Sequence, residues 1–239
     1  MNDAIYKKSF ELFLKRTNEK AIIKKFIYEH IPLSASMDFL DIGAGDGSLA
    51  KTISRGVKST LVVEPNKDFC EKLSLQEGIR ALNGKWESIT LEDNFDFILA
   101  AYVVTYFPEV ERENLIKKMY DCLYPGGKIL LLSVDARKGS WRAIHTYFYK
   151  LMGIAHYSSD DLLKKIKETY KSTSYLFTTK VISKDADEML EILGFDFHKY
   201  PGYFLKFSDQ LKEFMKEYSD KNGCVTLEMV HNAHIITKH

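Results

Sequence analysis

Apolar residues recur along the chain with two periods, and their alternation predicts an ordered series of helices and strands. Ile5, Phe10, Leu12, Phe13, Leu14, Ile22, Ile23, Phe26 and Ile27 fall at helical spacing between Asp3 and His30. A break at Thr17-Asn18 supplies a cap for a second helix. Short apolar runs bounded by turn residues then predict strands at Phe39–Ile42, Thr60–Val63, Ile79–Leu82, Phe95–Ala101 and Lys128–Val134. Helices are predicted between them: Ser48–Ile53, Lys67–Leu75 with Asn66 as cap and Gly78 beyond its end, and Val110–Leu123. Phe95–Ala101 is apolar apart from Asp96, the pattern of a central parallel strand covered on both faces. After Val134 the pattern changes. An aromatic-dense segment, Ser140–Tyr149, predicts a lid helix, and Ser158 precedes an acidic first turn for a helix reaching Thr169. Tyr175–Ile182 reads as extended, and Ser183–Leu193 as a helix stopped by Gly194. Phe195–Tyr200 reads as a sixth strand, Ser208–Tyr218 as a helix, and Val225–Thr237 as a last strand.

The stretch from Asp38 to Leu49, Asp-Phe-Leu-Asp-Ile-Gly-Ala-Gly-Asp-Gly-Ser-Leu, carries the clearest chemistry. Gly43, Gly45 and Gly47 at alternate positions, between a strand and a helix, form a tight turn that lets backbone approach a ligand. This is the nucleotide-binding corner of a doubly wound α/β sheet. Glu64 closes the second strand about twenty residues past the turn, where a carboxylate accepts from a ribose diol. The spacing is G-x-G-x-G, and Asp41 adds a negative charge where a pyrophosphate would be repelled. That favours a cationic ligand without phosphates, such as the sulfonium S-adenosylmethionine. Two alternatives remain at this point: Asp41 orients the loop only, or the corner is a strand, turn and helix without a ligand.

Four segments together resemble the class I S-adenosylmethionine-dependent methyltransferases: Leu40-Asp-Ile-Gly-Ala-Gly-Asp-Gly47, Val62-Val-Glu-Pro65, Phe95-Asp-Phe-Ile-Leu-Ala-Ala-Tyr102 and Leu123-Tyr-Pro-Gly-Gly-Lys-Ile-Leu-Leu-Leu132. The resemblance implies a Rossmann-like α/β fold. Its sheet would be seven-stranded, mostly parallel and doubly wound, with a helical N-terminal cover and a lid insertion. A single domain is implied, divided into the cover (1–36), a cofactor-binding core (37–134), a lid and acceptor region (135–182) and a C-terminal sheet half (183–239). Carried onto this sequence, the cofactor contacts are Asp41, Gly43, Ala44, Gly45, Gly47, Glu64, Pro65, Trp86, Glu87, Ser88, Ala100 and Ala101. Lys85 departs from the pattern, because many relatives place there an acidic residue that accepts from the adenine amino group.

The flanks resemble, more loosely, the histamine N-methyltransferase group, through Tyr6-Lys-Lys-Ser9-Phe10-Glu-Leu-Phe13-Leu14, Val63-Glu64-Pro65 and Gly139-Ser140-Trp141. That likeness implies an acceptor site with Glu19 as amine anchor and Tyr6, Phe10, Tyr106 and Trp141 as aromatic walls. Tyr102 replaces an expected glutamine and Glu228 an asparagine, which implies an acceptor other than histamine. An aromatic box with carboxylates suits a small amine. Candidate proton acceptors are Tyr106 and the lid histidines His145 and His156, although displacement at a sulfonium-activated carbon proceeds largely by positioning and desolvation. Open alternatives are an O- or C-methyltransferase on a small aromatic or lipid-like acceptor, and a non-catalytic S-adenosylmethionine-binding partner subunit.

Composition narrows the partners. Thirty-four basic against 33 acidic residues, a net charge of +1, give no electrostatic case for nucleic acid. The chain also lacks an Asn/Asp-Pro-Pro-aromatic motif after the fourth strand, where Ala-Ala-Tyr-Val stands. Cys70, Cys122 and Cys224 are scattered without metal-ligand spacing, so no metal is expected. With no secretory leader pattern and no apolar run of about 20 residues, a cytoplasmic protein without a membrane partner is expected, as a monomer or homodimer.

Overall fold

The computed structural model of the protein describes residues 3–154 and 160–239; His156 and the predicted cap Ser158 lie outside them. The two N-terminal helices form as predicted, as α1 (Asp3–Arg16) and α2 (Glu19–His30). The core then runs β1 (Asp38–Ile42), α3 (Ser48–Ile53), β2 (Ser59–Glu64), α4 (Lys67–Ser74), β3 (Ile79–Asn83), β4 (Phe95–Ala101), α5 (Arg112–Asp121) and β5 (Leu123–Val134). After it come α6 (Ser140–Met152), α7 (Asp160–Thr169), β6 (Ser172–Ser183), α8 (Ala186–Leu193), α9 (Pro201–Lys206), α10 (Ser208–Met215) and β7 (Val225–Thr237). The caps work as their residue types dictate. Asn66 accepts from Phe69 N–H at 3.1 Å, and Asp185 accepts from Glu188 N–H at 2.8 Å.

The strand order is β3-β2-β1-β4-β5-β7-β6. The first five strands are parallel, whereas β5-β7-β6 is antiparallel, so the sheet is mixed. Parallel order in the first part follows from crossovers that return the chain to the same end of the sheet, through α3, α4 and α5 and, between β3 and β4, through a short 3-10 turn and loop. The lone polar side chain of β4 also has a structural use. Asp96 Oδ2 accepts from Asp38 N–H at 2.8 Å, and Asp38 in turn accepts from Ser59 Oγ at 2.6 Å and Lys58 Nζ at 3.0 Å. Those bonds align the starts of β4, β1 and β2, and therefore set which residues meet at their carboxyl ends.

The chain divides into two compact units. One comprises Ile23–Val134, Ser159–Leu176 and Asn232–His239 and holds the parallel strands. Its core includes Phe39 stacked on Phe97 at 5.1 Å, with Leu40, Ile98, Ile116, Met119 and Ile129 almost fully buried. The other comprises Met1–Ile22, Asp135–Ser158 and Phe177–His231. It packs α1 against α8, where Gly194 leaves so little room that a β-carbon there would stand 2.9 Å from Ser9 Oγ.

One predicted element is corrected. Phe195–Tyr200 is not a strand but a succession of turns, with Asp196 and Phe197 N–H both donating to the Leu193 carbonyl at 3.0 Å. Its aromatic-polar alternation looks like a half-buried strand, yet Phe195 and Phe197 are taken up by rings from α1 and α6 rather than by a sheet face. The antiparallel edge is supplied by β6 instead, and α9, which opens on Pro201, follows the turns.

Candidate functional site

In the unit of parallel strands, the glycine turn sits at the carboxyl ends of β1 and β2. Gly43, Gly45 and Gly47 all have left-handed backbones, with φ of 71°, 57° and 72°. Two of them also have no space for a side chain. A β-carbon on Gly43 would come within 2.2 Å of Val103 Cγ1, and one on Gly47 within 2.1 Å of Leu73 Cδ2. At Gly45 nothing lies within 4 Å of that position, so the turn there faces open space.

Glu64 organises this corner. It is 5% exposed; its Oε2 accepts from Gly45 N–H at 2.7 Å and its Oε1 from Asn66 N–H at 2.8 Å. One carboxylate thus ties the glycine turn of β1 to the cap of α4. A carboxylate offers about four lone-pair positions, so two stay available to a ligand after the backbone is satisfied. Asp41 is buried within β1, and Ser48 Oγ is buried without a hydrogen-bond partner at the start of α3. Ala100 is fully buried at the end of β4 and Ala101 half-buried. Tyr102, immediately beyond, holds φ of 63°, a conformation that a bulky residue adopts only when its surroundings enforce it.

Open space at Gly45, an orphaned hydroxyl, a carboxylate with spare acceptor sites and small side chains at the end of β4 together fit a nucleoside with a polar tail. Asp41, Gly43, Ala44, Gly45, Gly47, Glu64 and Ala101 lie at this end of β1, β2 and β4. Pro65, Glu87 and Ser88 stand beside the corner with part of their surface exposed. Trp86 is corrected. It is 2% exposed, donates its indole N–H to the Leu115 carbonyl at 3.2 Å, and lies under Lys118 Nζ, 4.2 Å from the ring centre. Lys118 also donates to the Trp86 and Ile89 carbonyls, and burial pushes its pKa down. Trp86 is a core side chain that pins its loop to α5, leaving no face for an adenine ring. Tyr106 is 74% exposed on a short 3-10 turn just past β4.

The second unit gathers most of the acceptor-side residues. Rings run continuously from Tyr6 to Phe10 (6.2 Å), Phe10 to Phe195 (5.6 Å), Phe195 to Phe13 (4.8 Å) and Phe13 to Trp141 (5.8 Å). Trp141 and His145, one helical turn apart on α6, converge on Asp196. Trp141 Nε1–H donates to its Oδ2 at 3.2 Å, and His145 Nε2 stands 2.9 Å from the same oxygen, at ion-pair distance but out of hydrogen-bond alignment. Burial alone would raise the Asp196 pKa; His145, the Trp141 N–H and His198 more than offset it, and the carboxyl sits below its ordinary range.

Asp196 was hidden from sequence reasoning by the false strand around it. The available signal was the aromatic-polar run trapped between the helix stop Gly194 and Pro201. Glu19 is 5% exposed at the first turn of α2 and already engaged by its neighbours. Glu228 does not join the rings: its side chain is half exposed and pairs with Lys180 at 3.6 Å, because alternation along β7 turns Leu227 and Met229 inward and Glu228 outward. Among the described residues no group of acidic, histidine or cysteine side chains could hold a metal, and no helix is long and apolar enough to cross a membrane.

Residues 39–127 match the methyltransferase domain family. Solved structures share the fold across most of the chain. The YcgJ protein of Bacillus subtilis is 17% identical over 92% of this chain and 97% of its own, with a TM-score of 0.63. The N-methyltransferase NodS of Bradyrhizobium japonicum, solved with S-adenosylhomocysteine, is 13% identical over 92% of this chain and 85% of its own, with a TM-score of 0.51. Coclaurine N-methyltransferase, bound to N-methylheliamine and S-adenosylhomocysteine, is 13% identical over 91% of this chain and 72% of its own, with a TM-score of 0.56. No curated protein matches the chain in sequence.

Proposed function

We propose that this chain is a class I S-adenosylmethionine-dependent methyltransferase and that it methylates a nitrogen of a small amine. S-adenosylmethionine supplies a methyl group on a sulfonium, so the protein has to hold, orient and desolvate rather than activate. On this reading, Gly45 and its neighbours offer backbone to the cofactor. Glu64 accepts from the ribose hydroxyls with the lone pairs that Gly45 and Asn66 leave free. Asp41 keeps the corner negative, which suits a sulfonium and an ammonium and disfavours a pyrophosphate.

The observation that supports the choice of an amine is the run of rings Tyr6, Phe10, Phe195, Phe13 and Trp141, which ends on a carboxylate where the Trp141 indole N–H donates to Asp196. Aromatic faces and a carboxylate each attract an ammonium, and together they favour it over a neutral acceptor of the same shape. A methyl-release assay of the wild-type protein on amines and on phenols of matched size tests this. Turnover on amines is expected, and turnover confined to phenols or carbon acids would replace this reading with O- or C-methylation.

A further inference from the structure

Lys118, half-buried on α5, is an ammonium whose hydrogen-bond partners are neutral. Its Nζ donates to the Trp86 and Ile89 carbonyls and stands over the Trp86 ring, whereas the exposed lysines Lys117 and Lys165 pair with carboxylates. Burial pushes its pKa down. Taking an ammonium out of water is costly, so the charge-assisted bonds to the two carbonyls have to offset that cost. Those carbonyls belong to one tight turn, in which Ser88 and Ile89 N–H both donate to the Lys85 carbonyl at 3.0 and 3.2 Å. With the Trp86 indole N–H on the Leu115 carbonyl, the turn is fixed to α5 at three points. Its other end is bonded to β2. Gly84 N–H donates to the Glu64 carbonyl at 3.2 Å, and Asn83 Nδ2 donates to the Glu64 and Pro65 carbonyls at 2.9 and 3.2 Å. The connection between the two ends is tightly folded, since a β-carbon on Gly84 would stand 2.8 Å from Ile89 Cδ1. All of these residues lie in the unit of parallel strands, and the Glu64 carboxylate in turn holds Gly45 and Asn66 N–H.

We infer that Lys118 is a positioning residue for the cofactor corner: by clamping the Trp86 and Ile89 carbonyls it fixes segment 83–89, whose Asn83 and Gly84 hold the backbone of Glu64. The inference rests on the assignment of that corner to S-adenosylmethionine, above, and adds a residue of α5 that acts through Glu64. A methionine at position 118 has a similar length but no N–H, so it leaves both carbonyls without their donor. The turn keeps its indole anchor and loses its clamp. Glu64 then samples several positions, and apparent affinity falls by the fraction of the ensemble that presents its carboxylate to the ribose.

Calorimetry with S-adenosylhomocysteine on wild type, Lys118→Met, Lys118→Arg, Asn83→Ala and the Lys118→Met/Asn83→Ala double variant, each well below its own Tm, tests this. Lys118→Met is expected to weaken binding about tenfold and Asn83→Ala by a similar factor. Lys118→Arg, which keeps charge and donors, should retain part of the affinity. Both losses break one connection, so the double variant is expected to bind within about twofold of the weaker single variant. Amide exchange of the wild-type protein needs no variant: S-adenosylhomocysteine is expected to slow exchange at Ser88 and Ile89. Wild-type affinity in Lys118→Met, even with a lowered Tm, overturns the inference by making the lysine a support of the fold alone. Wild-type affinity in Asn83→Ala, a double variant whose loss is the product of the two, or exchange at Ser88 and Ile89 unchanged by the ligand overturns it as well. A wild type that does not bind S-adenosylhomocysteine instead removes the assignment of the corner.

Discussion

Glu64→Ala is expected to weaken S-adenosylhomocysteine binding about a hundredfold or more while leaving a folded protein of reduced stability. The size follows from what the carboxylate does. Its two oxygens accept from Gly45 and Asn66 N–H at 2.7 and 2.8 Å in a site that is 5% exposed, so truncation strands both donors and releases the glycine turn. Each stranded buried donor costs about 1–3 kcal/mol. The ribose hydroxyls lose their acceptor in the same step. Thermal unfolding and calorimetry on the same preparation separate the two effects: a lower Tm with unchanged affinity would mean that Glu64 supports the loop but does not touch the ligand.

Acidification should destabilise the protein steeply between about pH 6.5 and pH 4, because of two histidines on β7. His231 is fully buried beside Thr179 Oγ1 at 2.7 Å, and His234 is 2% exposed beside Ser174 Oγ at 2.9 Å. Burial pushes each down to about 4 from an ordinary value of 6.5, aided at His234 by the charge of Lys167. Within that window the unfolded chain binds protons that the folded chain refuses, so stability present above pH 6.5 is lost as the pH falls through 4. Each residue contributes on the order of 3 kcal/mol. Urea midpoints measured from pH 7.5 to pH 4 check this, and His234→Gln should remove roughly half of the slope. A flat profile down to pH 4 would show that both imidazoles reach water.

The parallel core was legible because its signals are local and redundant. Each strand from Phe39 to Ala101 is a short apolar run closed by a polar or glycine turn, and α3 and β4 occupy the predicted residues. The glycine turn was legible for the same reason, since positive φ and a lack of room at Gly43 and Gly47 leave few other residues possible there. Asp96, an anomaly in the sequence pattern, turned out to serve the start of β1.

What failed depended on long-range packing. Phe195–Tyr200 carries the two-residue period of a strand, yet only the rings of α1 and α6, far away in sequence, decide where its phenylalanines go. With that segment misread, Asp196 could not be paired with Trp141 and His145. Burial of Trp86 depends on a carbonyl and a lysine of α5, and exposure of Tyr106 on the direction of one short turn. Side-chain direction after a strand end has no periodicity to reveal it.

On the proposed reading, the corner formed by Gly45 and Glu64 holds a sulfonium nucleoside and disfavours a dinucleotide. Calorimetric titration of the wild-type protein with S-adenosylhomocysteine and, separately, with NAD tests that directly. Saturable one-site binding of S-adenosylhomocysteine with no heat from NAD is expected; binding of NAD, or no binding of S-adenosylhomocysteine at millimolar concentration, would refute the assignment of this corner.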